Sequence, residues 1–551
     1  MGRQLAWIFA AALGCDNAER SVEPTAAPAR EPSVTARALD RTAAAMLSHV
    51  PADSPYVLVT AEPLPRGYVK RIEPLVDATL AAWERALAGP IPTRDPEWVA
   101  LVSSLRGHMS AQGLRELGFA TNPRWVFYGF GLAPVLRVEL EDGRKVAELI
   151  AHVDNADGRS RERVGLGHRL WSVSSQPDDV GFTVAVVGNE LVMSAYPQAI
   201  ENQMLSHVLG REVPSRSLTD SEWMRTAARD HGLVPNFAGM IDFSRLAAIL
   251  DGTGDPLSAQ VVAAWDLELD RGPCTAAWRS LLDQAPRLWF GLRELDARGI
   301  GSAWIWELGP GLRKALSPVA APIAGLSRSA RRDGLAAVGV GIDAMAGFAV
   351  LQRLVARDRL GACFEEGDLD LEGVPTSTWM IGLRGGSAVL HEWDFRRNEL
   401  RGVVVAGLDD PLEWLGTVAP SAKVGPLKRR RPALLEAVLA GVRLPGGEKA
   451  WIARGPHALG IANGDKAHRV LLRAVSTERD DGRSWASWSV DLHAVIESIP
   501  RAELDRALAE MGPAERPWVE AALDVVDRWD GHLALTAHGL EISGTLAFRR
   551  R

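Results

Sequence analysis

Apolar and polar residues alternate along many short runs of this chain, and turn-forming residues separate the runs. RVEL at 137–140 and SGTLAF at 543–548 place apolar side chains at every second position, the period of a strand with one covered face. Elsewhere the apolar spacing opens to three and four residues, at 146–153 and 434–440. That spacing predicts helices able to cover such a face. The fold class implied is α+β, with mainly antiparallel sheets and helices packed on one face.

Four kinds of segment recur in one order. A strand ending in an acidic residue and leading into a helix occurs around Glu62 and around Asp343. A strand, a paired acidic turn and a helix follow at Glu141 and Asp142, and again at Asp409 and Asp410. A strand passes into a helix at Asp242 and at Asp491, and a closing hairpin turns at Gly299 and at Gly539. Between the second and third segments stand Gly188-Asn189 and Asn463-Gly464. Both dipeptides tolerate the positive φ of a tight turn, so each predicts a hairpin. The shared order predicts two related halves, 37–316 and 335–551. Residues 317–334, with Pro318, Pro322 and a basic run, form the expected junction. Carboxylates at the strand-to-helix passages, Glu62, Asp142, Asp242, Asp343, Asp410 and Asp491, are expected to cap helix starts and to carry no chemistry.

The start of the chain has a different pattern. Arg3 precedes nine apolar residues at 5–13, then Gly14 and Cys15. The apolar run suits a secretory signal and is too short to span a bilayer, which takes roughly 20 helical residues. The order resembles the bacterial lipoprotein signal, so 1–14 is expected to be a signal peptide and Cys15 the lipidated residue. Residues 15–36 carry Pro24, Pro28 and Pro32 among small and polar residues and predict a flexible Pro/Ala tether about 25 Å from end to end. The expected location is the bacterial cell envelope, on the periplasmic or surface side, with acyl chains on Cys15 as the membrane anchor. Two further cysteines, Cys274 and Cys363, remain of the three in the chain. In an exported protein they are expected to pair, stapling the halves across the junction.

A net charge of -7 over 551 residues gives no reason to expect nucleic acid as a partner. The basic run 428–431 reads as a solvated loop. Nineteen Trp against four Tyr are scattered along the chain, a distribution expected of core aromatics or of an apolar ligand site.

Three stretches carry a family resemblance. PADSPY at 51–56, VFYGFGLAPVLRVEL at 126–140 and PCTAAWRSLLDQAPRLWFGLRELDARGI at 273–300 resemble the uncharacterised lipoproteins of GC-rich soil bacteria that open on a P-A-D-[ST]-P-Y segment. The resemblance implies a lipoprotein signal, a tether and a two-part body, and it implies no activity.

Reactive constellations are missing from the sequence. His391-Glu392 lacks the second His of a zinc protease motif, and neither G-x-S-x-G nor S-x-x-K occurs. GVGIDAMAG at 339–347 has the wrong glycine spacing for a phosphate loop. His152 and His207 are expected to be structural. Asp368, Asp370 and Glu372 form the best calcium candidate, yet like charges on a strand face usually point into water. No catalytic residue, cofactor or metal ligand is therefore assigned. The expected function is non-enzymatic binding or scaffolding in the envelope, with another envelope protein as a possible partner. The alternative is a carrier or sensor of a lipidic ligand held between curved sheets. A third reading is an enzyme whose site is assembled only by folding.

Overall fold

The computed structural model describes residues 40–549 apart from 89–95, 155–169, 174–179, 255, 266–272, 327–330, 332–333, 358–380, 395–398, 419–437, 444–448, 465–466, 477–483 and 512–514. Among the described residues nine strands precede residue 310: β1 Tyr56–Thr60, β2 Trp125–Phe130, β3 Ala133–Glu139, β4 Leu170–Val173, β5 Val180–Val187, β6 Glu190–Pro197, β7 Ala238–Asp242, β8 Arg287–Asp296 and β9 Gly299–Glu307. Nine follow it: β10 Ala336–Val340, β11 Leu383–Asp394, β12 Glu399–Leu408, β13 Val438–Arg443, β14 Lys449–Arg454, β15 Ala458–Asn463, β16 Ser484–Asp491, β17 Val526–Leu535 and β18 Gly539–Phe548.

All eighteen join one antiparallel sheet. Its order from edge to edge is β4-β5-β6-β3-β2-β1-β7-β8-β9-β18-β17-β16-β10-β11-β12-β15-β14-β13. The two sets of nine meet where Glu307 of β9 lies opposite Gly539 of β18.

The largest core lies on one face, called here the core face. Val57, Val126, Tyr128, Trp289 and Ile305 project from the strands, and Met46, Met204, Leu205 and Trp223 reach them from the helices Arg41–Leu47, Glu201–Val208 and Trp223–His231. Each such buried side chain contributes roughly 2 kcal/mol. The expectation of helices on one face alone is corrected here. Val184 and Leu191 point to the opposite face, where Val146 and Ile150 of the helix Gly143–Asp154 cover them. Strands β5 and β6 are apolar at both parities, so each face needs a cover. In the second set, Leu471 and Val475 of the helix Ala467–Ser476 cover Val403, Val405 and Ala462 on the core face.

The carboxylate caps form at five of the six expected positions. Asp142 accepts from Arg144 N at 3.0 Å, Asp242 from Arg245 N at 3.0 Å and Asp343 from Ala346 N at 2.9 Å. Asp410 accepts from Leu412 N and Asp491 from Ala494 N, both at 2.8 Å. Glu62 departs from the pattern. Its carbonyl accepts from Asn236 Nδ2, and the helix Arg66–Ala88 starts further on.

Two local expectations fail. Gly188, at φ 61°, does turn the β5–β6 hairpin, but Asn463 ends β15 and the next described element is a helix. The Asn463 amide is engaged with β12, accepting from Gly402 N at 2.8 Å and donating to Leu400 O at 2.6 Å. The helix expected at 434–440 is contradicted at its end, because Val438, Leu439 and Ala440 pair with β14. A short apolar run has no period of its own strong enough to resist a neighbouring strand.

The caps at Asp242 and Asp491 differ in burial. Asp491 has its own partner, Arg528 Nη1 at 3.7 Å, but with a side chain 29 % exposed, so Asp491→Ala is expected to cost about 1 kcal/mol, the value of a cap. Asp242 also accepts from Arg287 Nε at 3.1 Å with its side chain 2 % exposed, so Asp242→Ala is expected to cost roughly 3 kcal/mol. Urea unfolding of both variants measures the difference, and equal losses would remove the ion-pair contribution.

Candidate functional site

The strands on either side of the β9–β18 boundary bury polar side chains and leave apolar ones in the open. In β16, Ser487 and Ser489 are 2 % and 1 % exposed, whereas Trp488 between them is only half-buried. In β18, Glu541 and Ser543 are buried and Ile542 is 46 % exposed. The apolar residues share the face opposite the main core, called here the open face.

Register defines that face. Trp488, Val338, Ala388, Val404, Ile461 and Ile452 stand opposite one another across β16, β10, β11, β12, β15 and β14. The next row on the same side is Ile542, Leu533, Ala486, Val340, Gly386 and Ala406. A third is Leu546, Trp529, Val490, Ala336, Leu390 and Gly402. None of these positions carries a charged or hydroxyl side chain. Val404 is 55 % exposed and Val338 50 %. Strand alternation from Glu307 opposite Gly539 brings Trp304 and Trp306 of β9 to the same side.

Helices bound the open face at both ends of the strands. Ala346, Val350 and Leu354 of the helix Ala344–Arg357 pack on Leu533, Leu535 and Leu540. Tyr68 of the helix Arg66–Ala88 and Val525 of the helix Glu515–Val525 pack with Leu546 and Phe548. At β17 and β18 these helices cover Leu533 and the buried Leu546, and Gly531, Gly544 and the half-buried Trp488 lie between them.

The core face at the same strands holds a chain of ion pairs. Arg293 Nη2 donates to Glu541 Oε2 at 3.0 Å, and Arg293 Nε donates to the carbonyl of His231 at 3.1 Å. Ser543 and His532 share a hydrogen bond of 3.0 Å. Arg528 Nε donates to Asp530 Oδ1 at 3.1 Å, and Arg331 Nη1 to Ser487 Oγ at 3.0 Å. Burial pushes the Glu541 carboxyl up, but the bonds from Arg293 and Ser543 outweigh it and hold the group below the ordinary Glu value.

Glu307 has similar surroundings. Trp289 Nε1 donates to it at 2.9 Å, Arg287 Nη1 lies 3.6 Å away and His231 Nε2 lies 3.4 Å away. Desolvation raises its pKa and these partners lower it further, so the carboxylate stays ionised. His231 is 3 % exposed, its ring 4.8 Å from that of Trp289 and 5.4 Å from that of His538. His231 thus packs beside a carboxylate already engaged by a tryptophan and an arginine. Among the described residues, no group of three His, Cys, Asp or Glu is arranged to hold a metal ion.

The residues singled out from sequence lie elsewhere. Cys15 and Cys363 fall outside the described residues, as do 365–373 and 428–431. Cys274 stands in the helix Pro273–Gln284 and is disulfide-bonded. Its expected pairing with Cys363 falls outside the described residues. His152 is exposed on its helix. His207 lies 3.2 Å from Glu212 with its ring 4.1 Å from that of Phe130. The open face escaped the sequence reading although a signal was present, since SWASWSVD alternates as plainly as any strand in the chain.

Glu541→Gln is expected to lose about 2 kcal/mol of stability at pH 7, the cost of breaking a largely buried pair. Because folding lowers the Glu541 pKa, its stabilisation is complete above the ordinary Glu value and is lost as pH falls through the folded value. The gap between wild type and variant is therefore expected to close in acid. Urea unfolding at pH 7 and pH 3 checks this, and an unchanged gap would refute it.

Comparison with protein families, with curated proteins and with solved structures finds no match to this chain.

Proposed function

We propose that this protein is a lipid-anchored component of the bacterial cell envelope with a non-enzymatic binding role. The observation that carries the binding role is the open face, where Val338 and Val404, on either side of Ala388, and Ile542, three strands from β10, stay exposed. A contiguous bare apolar surface marks a place where something docks. Against catalysis stand the buried ionisable groups Glu307 and Glu541, each held by an arginine. The anchor rests on Arg3, the apolar run at 5–13 and Gly14-Cys15. Acyl chains hold a membrane at about 0.8 kcal/mol per buried methylene. Among the described residues no helix is long and apolar enough to cross a membrane.

Two related halves, 37–316 and 335–551, belong to the same reading. Their support is the strand order. Counted from β10 as the first strand, the second set runs outwards from the boundary as ninth, eighth, seventh, first, second, third, sixth, fifth and fourth, which is the order of the first set. A Cys274–Cys363 bridge would tie one half to the other.

Two measurements test the proposal. In a bacterial host the wild-type chain is expected to incorporate labelled palmitate and to sediment with membranes, and Cys15→Ser to do neither. A wild-type chain that keeps Met1, takes no label and stays with cytosolic proteins would overturn the placement. Non-reducing peptide mass spectrometry of the exported protein is expected to recover Cys274 linked to Cys363, and recovery of both as free thiols would remove the bridge.

A further inference from the structure

We infer that the open face holds the acyl chains of a lipid, one molecule at a time, laid across the strands and, at β17 and β18, between the helices that bound it. The inference rests on the binding role proposed above and names its ligand. Chemistry comes first. Three adjacent rows on β18, β17, β16, β10, β11 and β12 carry only aliphatic, Trp, Ala and Gly residues. The occupant is offered no charge and no side-chain hydrogen bond from these rows, and an aliphatic chain is the ligand that loses nothing there while releasing water from apolar surface.

Shape and size decide against a protein partner. Strand and residue spacings make the rows about 14 Å wide and about 24 Å long. The resulting area, about 340 Å², is less than half of the roughly 800 Å² that a stable protein interface takes from each partner. At β17 and β18 the helix Ala344–Arg357 packs on Leu533 and the helices Arg66–Ala88 and Glu515–Val525 pack on Leu546, which narrows the apolar surface there to the row between them. A flexible chain enters between them.

Dibromostearate, added below its aggregation concentration to the full-length protein, tests the assignment, because bromine quenches tryptophan only on contact and Trp304, Trp488 and Trp529 border the rows. Saturable quenching that unbrominated stearate reverses is expected. Val338→Asp and Val404→Asp are each expected to weaken it about tenfold, or about 1.4 kcal/mol. Val213→Asp, exposed on a loop away from the rows, is expected to bind as wild type. Circular dichroism checks that the variants fold, and Trp488→Phe, which adds no charge, is expected to remove part of the quenchable emission. Quenching that never saturates, or that is the same in all three Asp variants, would overturn the inference. So would flotation with phosphatidylcholine vesicles without monomer quenching, which would make the face a membrane-docking surface. A dimer abolished by Val404→Asp, again without quenching, would assign the face to a second copy. A chain that is acylated at Cys15 and membrane-bound yet unquenched would keep the envelope reading and lose this one.

Discussion

A carboxylate and a guanidinium enter a protein interior together or not at all, and Glu541 and Arg293 do so beside the line where β9 meets β18. Strand geometry then leaves no choice for their neighbours. With Glu541 and Ser543 turned to the core face, Ile542 and Gly544 must turn away from it. The same holds in β16, where burial of Ser487 and Ser489 sends Trp488 to the other side. The polar contents of the central interior thus dictate an apolar exterior. Reversing one strand would put Glu541 in the open and strand Arg293 without its partner.

The same arrangement occupies the buried carboxylates with partners of their own. A general acid or base needs a free lone pair or proton directed at a substrate. Glu541 is held by Arg293, and Glu307 receives Trp289 and lies within reach of Arg287 and His231. Both carboxyls sit below the ordinary Glu value because their partners outweigh desolvation. They stand at the boundary between the two sets of strands, and the apolar Ile542 between Glu541 and Ser543 is turned to the other side and exposed.

The continuity of the sheet follows from the same boundary. Among the described residues the two sets of strands end at β9 and β18, which meet through the registered pair Glu307 and Gly539. Within each set the apolar side chains divide between faces. Val126 and Val192 go to the main core, while Val184 and Leu191 go under the helix Gly143–Asp154. In the second set Val338 and Val404, on the open face, stay about half exposed among the described residues.

Features with a physical cause inside a few residues were legible in the sequence. Asp242 and Asp491 cap their helices because a carboxylate three residues before a free amide has little else to do. Gly188 turns its hairpin because the positive φ is a local demand. Asn463 was misread because its amide is taken up by Leu400 and Gly402 of a distant strand. The deeper limit concerns the faces of the sheet. Alternation in SWASWSVD or AAVGV establishes that two sides differ, since successive side chains point opposite ways. Which side meets solvent depends on what packs there, and only the folded chain brings Arg331 to Ser487 and Arg293 to Glu541. The sequence determined the period of these strands, and the tertiary structure decided that their apolar side faces out.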